Sequence, residues 1–163
     1  MGKCFVFVNQ KGGVGKTTSA INIGAYIALA GKKVLLVDFD SQGNMSSGVG
    51  VSRGKPTIYE LISGVAKPEQ VIHHTSVKNL DAISASIDLS GAAIELVDLE
   101  NREYFLKNAL APIKDNYDFI QKYLKPWEGG NSTDSINENS NSNSNYYQNQ
   151  VGNVEGENST DIL

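Results

Sequence analysis

The sequence predicts an α/β protein with a parallel sheet flanked by helices, and three observations carry that prediction. Two short apolar runs, Cys4 to Val8 and Lys33 to Asp38, lack a polar face, as is typical of parallel strands buried on both sides. A stretch with helical periodicity lies between them. A glycine-rich segment joins the first run to that stretch, and strand, glycine-rich turn and helix in this order indicate a ligand site at one edge of the sheet.

The first helix is predicted from about Lys16 to Ala30, where Gly31 offers a C-terminal cap. Its apolar positions share one helical side, and they are Ala20, Ile23, Ile27 and Ala30. The second strand ends at Asp38. The polar, glycine-rich segment from Gly43 to Gly54 is predicted to be a loop.

Two short helices, a strand, a long helix and a final strand are predicted after that loop. They are Thr57 to Ile62, Pro68 to Ile72, Asn79 to Ser84, Gly91 to about Leu110, and a strand beginning with Tyr117 to Ile120. Proline at the start of both short helices supports them, because it suits a first helical turn. His73 and His74 have no metal-binding partner nearby in sequence, so we expect both to be exposed structural residues.

Composition divides the chain into a body and a tail. From Asn131 to Leu163 asparagine and serine dominate, five acidic residues occur, and lysine and arginine are absent. The net charge of −4 therefore conceals a nearly neutral body, in which 14 basic residues face 13 acidic ones. Too few tail residues are apolar to offset the entropy of ordering, so we expect disorder from about Gly129 onward.

The single cysteine, Cys4, excludes an internal disulfide and a cysteine metal cluster. The sequence shows neither a signal-peptide pattern nor an apolar segment of membrane-spanning length. We therefore expect a cytoplasmic protein without a membrane partner.

The segment Lys11-Gly12-Gly13-Val14-Gly15-Lys16-Thr17-Thr18 has the residues of a phosphate-binding loop. Its glycines let backbone N–H groups point inward around an anion, and the helix N-terminus behind them carries partial positive charge. Lys16 can reach the β- and γ-phosphates, and the Thr17 hydroxyl can ligate Mg²⁺. The alternative is a glycine-rich turn with two solvated lysines, which explains these eight residues less well. The motif predicts a nucleotide site in a P-loop NTPase-like fold.

The loop departs from the pattern G-x-x-x-x-G-K-[ST] at its start. Gln10 stands where the pattern has glycine, and Lys11 follows it. Lys11 stands too far before Lys16 in the sequence for both side chains to contact the same side of the phosphates. A lysine at this position could reach outward to a nucleotide held by a facing subunit.

Asp38 and Asp40 directly follow the second strand. Because ligands collect at the carboxyl ends of strands in open α/β sheets, we expect both to face the same crevice as the glycine loop. A carboxylate there can hold Mg²⁺ through water or orient an attacking water. The alternative is a pair of aspartates that caps a turn. The neighbouring glycine loop favours the functional interpretation.

From about Lys3 to Ile120 the chain resembles the ParA-type plasmid and chromosome partition ATPases, of the deviant Walker A group that also includes MinD. The resemblance rests on three segments, Asn9 to Thr18, Val37 to Asn44, and Ile87 to Ala92 with the Glu-rich helix after it. Family members usually have proline where Ser41 stands.

The resemblance implies that Lys11 and Gly12 to Thr18 bind ATP, with Lys16 at the γ-phosphate and Thr17 at the Mg²⁺. Lys11 would be the lysine that reaches the partner's nucleotide in a sandwich dimer. Asp40 would stand in the first switch region near the Mg²⁺, positioning water for hydrolysis, and Asp38 would support it. ATP-bound dimers of the family bind DNA non-specifically and are stimulated by a ParB-type partner, so that cargo DNA moves.

The resemblance ends after Ile120. In the family this strand continues as an apolar run ending in aspartate, followed by an Asp-x-Pro-Pro switch, whereas here Gln121 to Trp127 follow. We therefore divide the chain into residues 1–120, the N-terminal part of a ParA-like ATPase domain with an incomplete sheet, and residues 121–163, a divergent and disordered tail.

Three hypotheses follow for the function. The chain is a partition ATPase that binds ATP and Mg²⁺ and hydrolyses ATP slowly without the second switch and the C-terminal half. Alternatively, it is a non-catalytic interaction fragment that pairs with a full-length relative, or a truncated product without a stable fold. The change in composition at Gln121 motivates the last two hypotheses.

Overall fold

The computed structural model describes residues 2–8, 13–54, 56–91 and 105–124. Within them five strands form one sheet in the order β1-β5-β2-β4-β3. The strands are β1 (Lys3–Val8), β2 (Val34–Phe39), β3 (Ile72–His74), β4 (Leu80–Ile83) and β5 (Phe119–Leu124). Neighbouring strands run parallel except for β3, which pairs antiparallel with β4. The predicted α/β fold class is confirmed, with one antiparallel edge strand added.

The helices of the described residues are α1 (Lys16–Leu29), α2 (Asn44–Gly48), α3 (Ile58–Ile62), α4 (Pro68–Val71) and α5 (Phe105–Leu110). Gly31 follows α1 with φ of +88°, and its N–H donates to the carbonyl of Ala28, which confirms the predicted C-terminal cap. Thr57 begins α3 with a capping box, in which its N–H donates to the Glu60 carboxylate at 2.8 Å. None of these helices has the length and apolar character needed to cross a bilayer.

The sheet carries a hydrophobic cluster on each face. One cluster joins β2, β4 and β5 to α3, α4 and α5, and the other joins the same strands to α1 and α2. Residues Val34 to Val37 of β2 are all 0% exposed, as expected for a strand covered on both faces.

Helix α1 packs a different side against the sheet from the one that the sequence predicts. Its buried residues are Ala20, Gly24 and Ala28, whereas Ile23 is 45% exposed. A Cβ added to Gly24 would lie 2.8 Å from a methyl carbon of Leu36, so the helix axis is too close to the sheet for a larger side chain. The row of small residues therefore determines the packed side.

One other predicted element is wrong, and one strand was not predicted. Helix α2 forms inside the segment predicted to be a loop, where Asp38 holds its backbone. Strand β3 forms at the two histidines, because β4 gives this segment a hydrogen-bonding partner that periodicity does not reveal. His74 is exposed as expected, but His73 is only partly exposed.

The last strand extends beyond the residue at which the family resemblance ends. Strand β5 continues from Phe119 to Leu124, four residues past Ile120, and pairs over its full length with both β1 and β2. The first part of the long helix predicted from Gly91 lies outside the described residues, as does the chain after Leu124. The expected disorder of the tail and the division at residue 120 therefore stay predictions.

Candidate functional site

The parallel order brings three strand ends to one edge of the sheet. Val8 of β1 and Phe39 of β2 both pair with Leu124 of β5, so all three strands end at the same level. The loop that precedes α1 follows β1, and Asp40 follows β2. The predicted neighbourhood of the glycine loop and the β2 aspartates is thus confirmed at the level of topology.

Two glycines in the described part of the loop have a left-handed backbone conformation. Gly13 has φ of +68°, and Gly15, which caps the N-terminus of α1, has φ of +81°. A Cβ added to either residue would meet no atom within 4 Å, so glycine is needed here for its left-handed conformation rather than for lack of space. Val14 between them is 43% exposed. Lys11 and Gly12 lie outside the described residues.

The N-terminus of α1 presents hydrogen-bond donors at the end of this loop. The amides of Lys16, Thr17 and Thr18 occupy the first turn of a 14-residue helix, where N–H groups have no acceptor within the helix. The first turn contains no acidic residue, so the positive end of the helix dipole keeps its attraction for an anion. Open left-handed glycines before such a helix end fit a phosphate group.

Three residues of the predicted site, Lys16, Thr17 and Thr18, lie in the first turn of α1. Lys16 and Thr17 are partly buried, and Thr18 is exposed. The Thr17 hydroxyl donates a hydrogen bond to the phenol oxygen of Tyr123 at 3.0 Å. Tyr123 is 5% exposed and lies one residue before the end of β5. Tyr123 was not among the predicted site residues, because residues from Gln121 onward were assigned to the divergent tail.

Asp38 is a buried structural acceptor. It is 0% exposed, and its Oδ2 accepts hydrogen bonds from the Ser46 amide at 2.8 Å and the Ser46 hydroxyl at 2.6 Å. Its Oδ1 accepts from the Asp40 amide at 3.2 Å. Burial raises the pKa of Asp38, although the bonds from Ser46 oppose that shift. The carboxylate thus ties the end of β2 to α2 and to the backbone of Asp40.

Ser46 extends this connection to β4. Its hydroxyl oxygen accepts a hydrogen bond from the Ala85 amide at 3.1 Å while the hydroxyl proton goes to Asp38. One serine therefore links the segments that follow β2 and β4, and α2 is held at the same edge of the sheet as the glycine loop.

Asp40 lies in a turn that its own groups stabilise. It is 3% exposed, its Oδ1 accepts from the Gln42 amide at 3.0 Å, and its carbonyl accepts from the Gly43 amide at 2.8 Å. Arg53 lies against Gly43 and donates to the Ser41 carbonyl at 2.7 Å, which holds the far side of this turn. The turn-capping geometry considered as an alternative is therefore present, and it places Asp40 in a defined position beside the strand ends.

The donor set around this edge suits a cation that brings its own ligands. Within the described ranges, no group of three or more His, Cys, Asp or Glu is arranged to hold a metal ion. Mg²⁺ commonly takes only one or two protein ligands and completes its shell with phosphate oxygens and water. The Thr17 hydroxyl and the Asp40 carboxylate fit that mode of binding.

Comparison with known proteins finds a family match over most of the chain and relatives whose names describe chromosome partition. The model of a family described as an AAA domain matches residues 2–126. The chromosome-partitioning ATPase Soj of Treponema pallidum (strain Nichols) is 68% identical over 120 residues, and the sporulation initiation inhibitor protein Soj of Bacillus subtilis (strain 168) is 49% identical over 122 residues. Each match covers 74% of this chain but only 47% and 48% of the respective relative, so the chain spans about half of their length.

Solved structures share the fold over a similar range. A cobyrinic acid a,c-diamide synthase from Mycobacterium smegmatis, with bound ATP analogue and magnesium, has a TM-score of 0.71 at 34% identity. The match covers 75% of this chain and 50% of the synthase chain. A plasmid partition protein from Borrelia burgdorferi has a TM-score of 0.70 at 28% identity, and the match covers 78% of this chain and 57% of the partition protein chain. With the glycine loop, the strand order and a family match over most of its length, the chain belongs to the AAA-domain family of ParA-type ATPases.

Proposed function

We propose that this chain binds Mg²⁺-ATP at the loop before α1 and acts in the partition of a plasmid or chromosome. The observation that carries the proposal is the pair of left-handed glycines, Gly13 and Gly15, ahead of a helix N-terminus without acidic residues. Backbone amides in this arrangement favour a phosphate group. The ATP analogue and magnesium in the structurally similar synthase support the choice of ligand.

The proposed roles of the side chains are those that the family resemblance implies. Lys16 contacts the terminal phosphates, and Thr17 ligates the Mg²⁺, which neutralises phosphate charge. Asp40 approaches the Mg²⁺ and positions a water molecule for attack. Lys11 reaches the nucleotide of a second subunit in a dimer.

We expect hydrolysis to be slow. The family pattern has a carboxylate at the end of the strand that corresponds to β5, followed by an Asp-x-Pro-Pro switch, whereas this chain has Tyr123 near that end. A phenol neither carries charge at neutral pH nor accepts a proton from water as a carboxylate does. Nucleotide binding and hydrolysis are therefore separable in this proposal.

The proposed partners are those of a partition ATPase. They are a second copy of the chain, a ParB-like protein and non-specific DNA. Because the body before Asn131 carries little net charge, with 14 basic and 13 acidic residues, DNA binding would depend on an ATP-bound dimer and would weaken with rising salt.

The test is a titration with a fluorescent, hydrolysis-resistant ATP analogue in the presence of Mg²⁺. Lys16→Ala should weaken binding at least tenfold, since it removes the cation at the terminal phosphates. Lys32→Ala is the matched control, because Lys32 is an exposed lysine beyond the opposite end of α1 and should leave the affinity unchanged. Equal affinity of the Lys16→Ala and wild-type proteins would overturn the proposal.

A second candidate function is that of a non-catalytic fragment that pairs with a longer relative. Strand β1 lies at an edge of the sheet formed by the described residues. Beside it, the outer side of α1 exposes Tyr26 and Leu29 at 74% and 70%. Light scattering can measure association with a longer Soj-type chain. Stable association that Tyr26→Lys reduces would favour this function if the chain does not bind nucleotide.

A further inference from the structure

The hydrogen bond between Thr17 and Tyr123 joins two elements that meet at the proposed nucleotide site. Thr17 lies in the first turn of α1, and Tyr123 lies near the carboxyl end of β5. Their oxygens are 3.0 Å apart, and the Thr17 hydroxyl is the donor. The bond therefore crosses from the sheet to the helix that follows the glycine loop.

The direction of this bond matters for metal binding. A hydroxyl that ligates a cation uses a lone pair of its oxygen, so its proton has to go to another acceptor. The Tyr123 oxygen is such an acceptor, and its ring is held in place because the side chain is 5% exposed within the cluster beneath α1. A proton committed to Tyr123 leaves the lone pairs of Thr17 for a cation.

We infer that Tyr123 is the positioning residue of the Mg²⁺ site, because it accepts the Thr17 proton and orients that hydroxyl toward the cation. The inference rests on the proposed function, since it concerns the same nucleotide site. Outer groups that orient a metal ligand commonly contribute about 10–100-fold to metal affinity. The phenol itself would not ligate the cation, whose remaining ligands would come from Asp40, the nucleotide phosphates and water.

The experiment measures how Mg²⁺ changes the affinity for the fluorescent ATP analogue. Tyr123→Phe should bind the analogue in EDTA within about twofold of the wild-type affinity, because the phosphate-binding amides are unchanged. Mg²⁺ should increase the affinity of the wild-type protein for the analogue. In Tyr123→Phe, the Mg²⁺ concentration that gives half of this increase, the Mg²⁺ midpoint, should rise about tenfold or more. Thr17→Val should lose the same Mg²⁺-dependent increase in affinity. The double variant should lose no more than Thr17→Val alone, because both substitutions remove the same hydrogen bond between Thr17 and Tyr123.

Tyr117→Phe is the matched control. It removes a partly buried phenol that donates to Asp81 at 2.9 Å, two residues before β5 begins and therefore at the opposite end of the strand. It should leave the Mg²⁺ midpoint unchanged even where it lowers the melting temperature. A purely structural role of Tyr123 would likewise move the melting temperature but not the Mg²⁺ midpoint.

Two results would overturn the inference while leaving nucleotide binding intact. One is Lys16-dependent binding with the same Mg²⁺ midpoint in the wild-type and Tyr123→Phe proteins. The other is tighter binding by Tyr123→Phe both with and without Mg²⁺, which would mean that the phenol obstructs the site. If binding does not depend on Lys16, the proposed function fails and the inference fails with it.

Discussion

Replacement of Gln121 by leucine should stabilise the protein. Gln121 lies within β5 and is 1% exposed, and neither its Oε1 nor its Nε2 has a hydrogen-bond partner among the described residues. Burial of an amide without partners costs about 1–3 kcal/mol in mutational experiments. Leucine removes the two polar atoms at nearly constant volume, so most of that cost should be recovered.

The surroundings of Gln121 set the size of the gain. A Cβ added to Gly24 would lie 3.0 Å from the Gln121 Oε1 and 2.8 Å from a methyl carbon of Leu36, so α1 packs closely against the amide. Leucine would therefore contact apolar atoms in a narrow space, and imperfect packing should take back part of the gain. We expect a net increase of about 1–2 kcal/mol in the free energy of unfolding, or about 4 °C in melting temperature for each kcal/mol.

Urea denaturation followed by circular dichroism measures this change. Gln42→Leu is the matched control, because Gln42 is exposed and its replacement should alter stability by no more than about 0.5 kcal/mol. Gln121→Glu should act in the opposite direction, since it places a charge in the same buried position. Unchanged or reduced stability of Gln121→Leu would refute the reasoning, because it would show that the native amide is satisfied.

Two further predictions concern hydrogen bonds at opposite ends of the sheet. Ser46→Ala should cost about 1–3 kcal/mol in urea denaturation because it leaves the Ala85 amide without its acceptor, whereas Ser47→Ala, at an exposed serine, should cost about 0.5 kcal/mol or less. Equal losses would contradict this. Tyr117→Phe should cost about 1–2 kcal/mol at pH 7. Burial and the bond to Asp81 raise the pKa of Tyr117. The stabilisation is therefore complete below the pKa of an unfolded tyrosine, about 10, and is lost progressively as the pH rises above it. The urea midpoints of the wild-type and variant proteins should converge as the pH rises beyond about 10.

Local signals in the sequence were sufficient for the first strand, the first helix and its C-terminal cap. Gly13 and Gly15 have the left-handed conformation that a phosphate loop needs, and Gly31 caps the helix as predicted. The packed side of α1 could not be predicted from apolar spacing, because the short distance to Leu36 selects the glycine at position 24 over the neighbouring isoleucines.

Residues whose role depends on distant pairing were missed. Ser46 lies in a segment predicted to be a loop, and only the positions of Asp38 and Ala85 in the fold reveal its two hydrogen bonds. Tyr123 was assigned to the divergent tail that begins at Gln121, although strand β5 continues to Leu124. Ser46 belongs to no motif with characteristic spacing, so the sequence offered no signal for it. The signal for Tyr123 is its place near the strand end where the family pattern has a carboxylate.

Strand β5 shows why the polar residues after Ile120 do not end the strand. Gln121 and Lys122 point to opposite faces and are 1% and 4% exposed, and burial lowers the pKa of Lys122. Both are costly in a central strand. An end at Ile120, however, would leave the facing edges of β1 and β2 unpaired over four residues on each side.

Those ladder hydrogen bonds contribute about 0.5–1.5 kcal/mol each, and unpaired buried backbone groups would add a desolvation penalty. These contributions oppose the cost of about 1–3 kcal/mol for the Gln121 amide and the further cost of the buried Lys122 side chain, and the strand continues to Leu124. This continuation carries Tyr123 to the hydroxyl of Thr17. The same backbone pairing that tolerates Gln121 therefore builds the contact on which we base the proposed Mg²⁺ site.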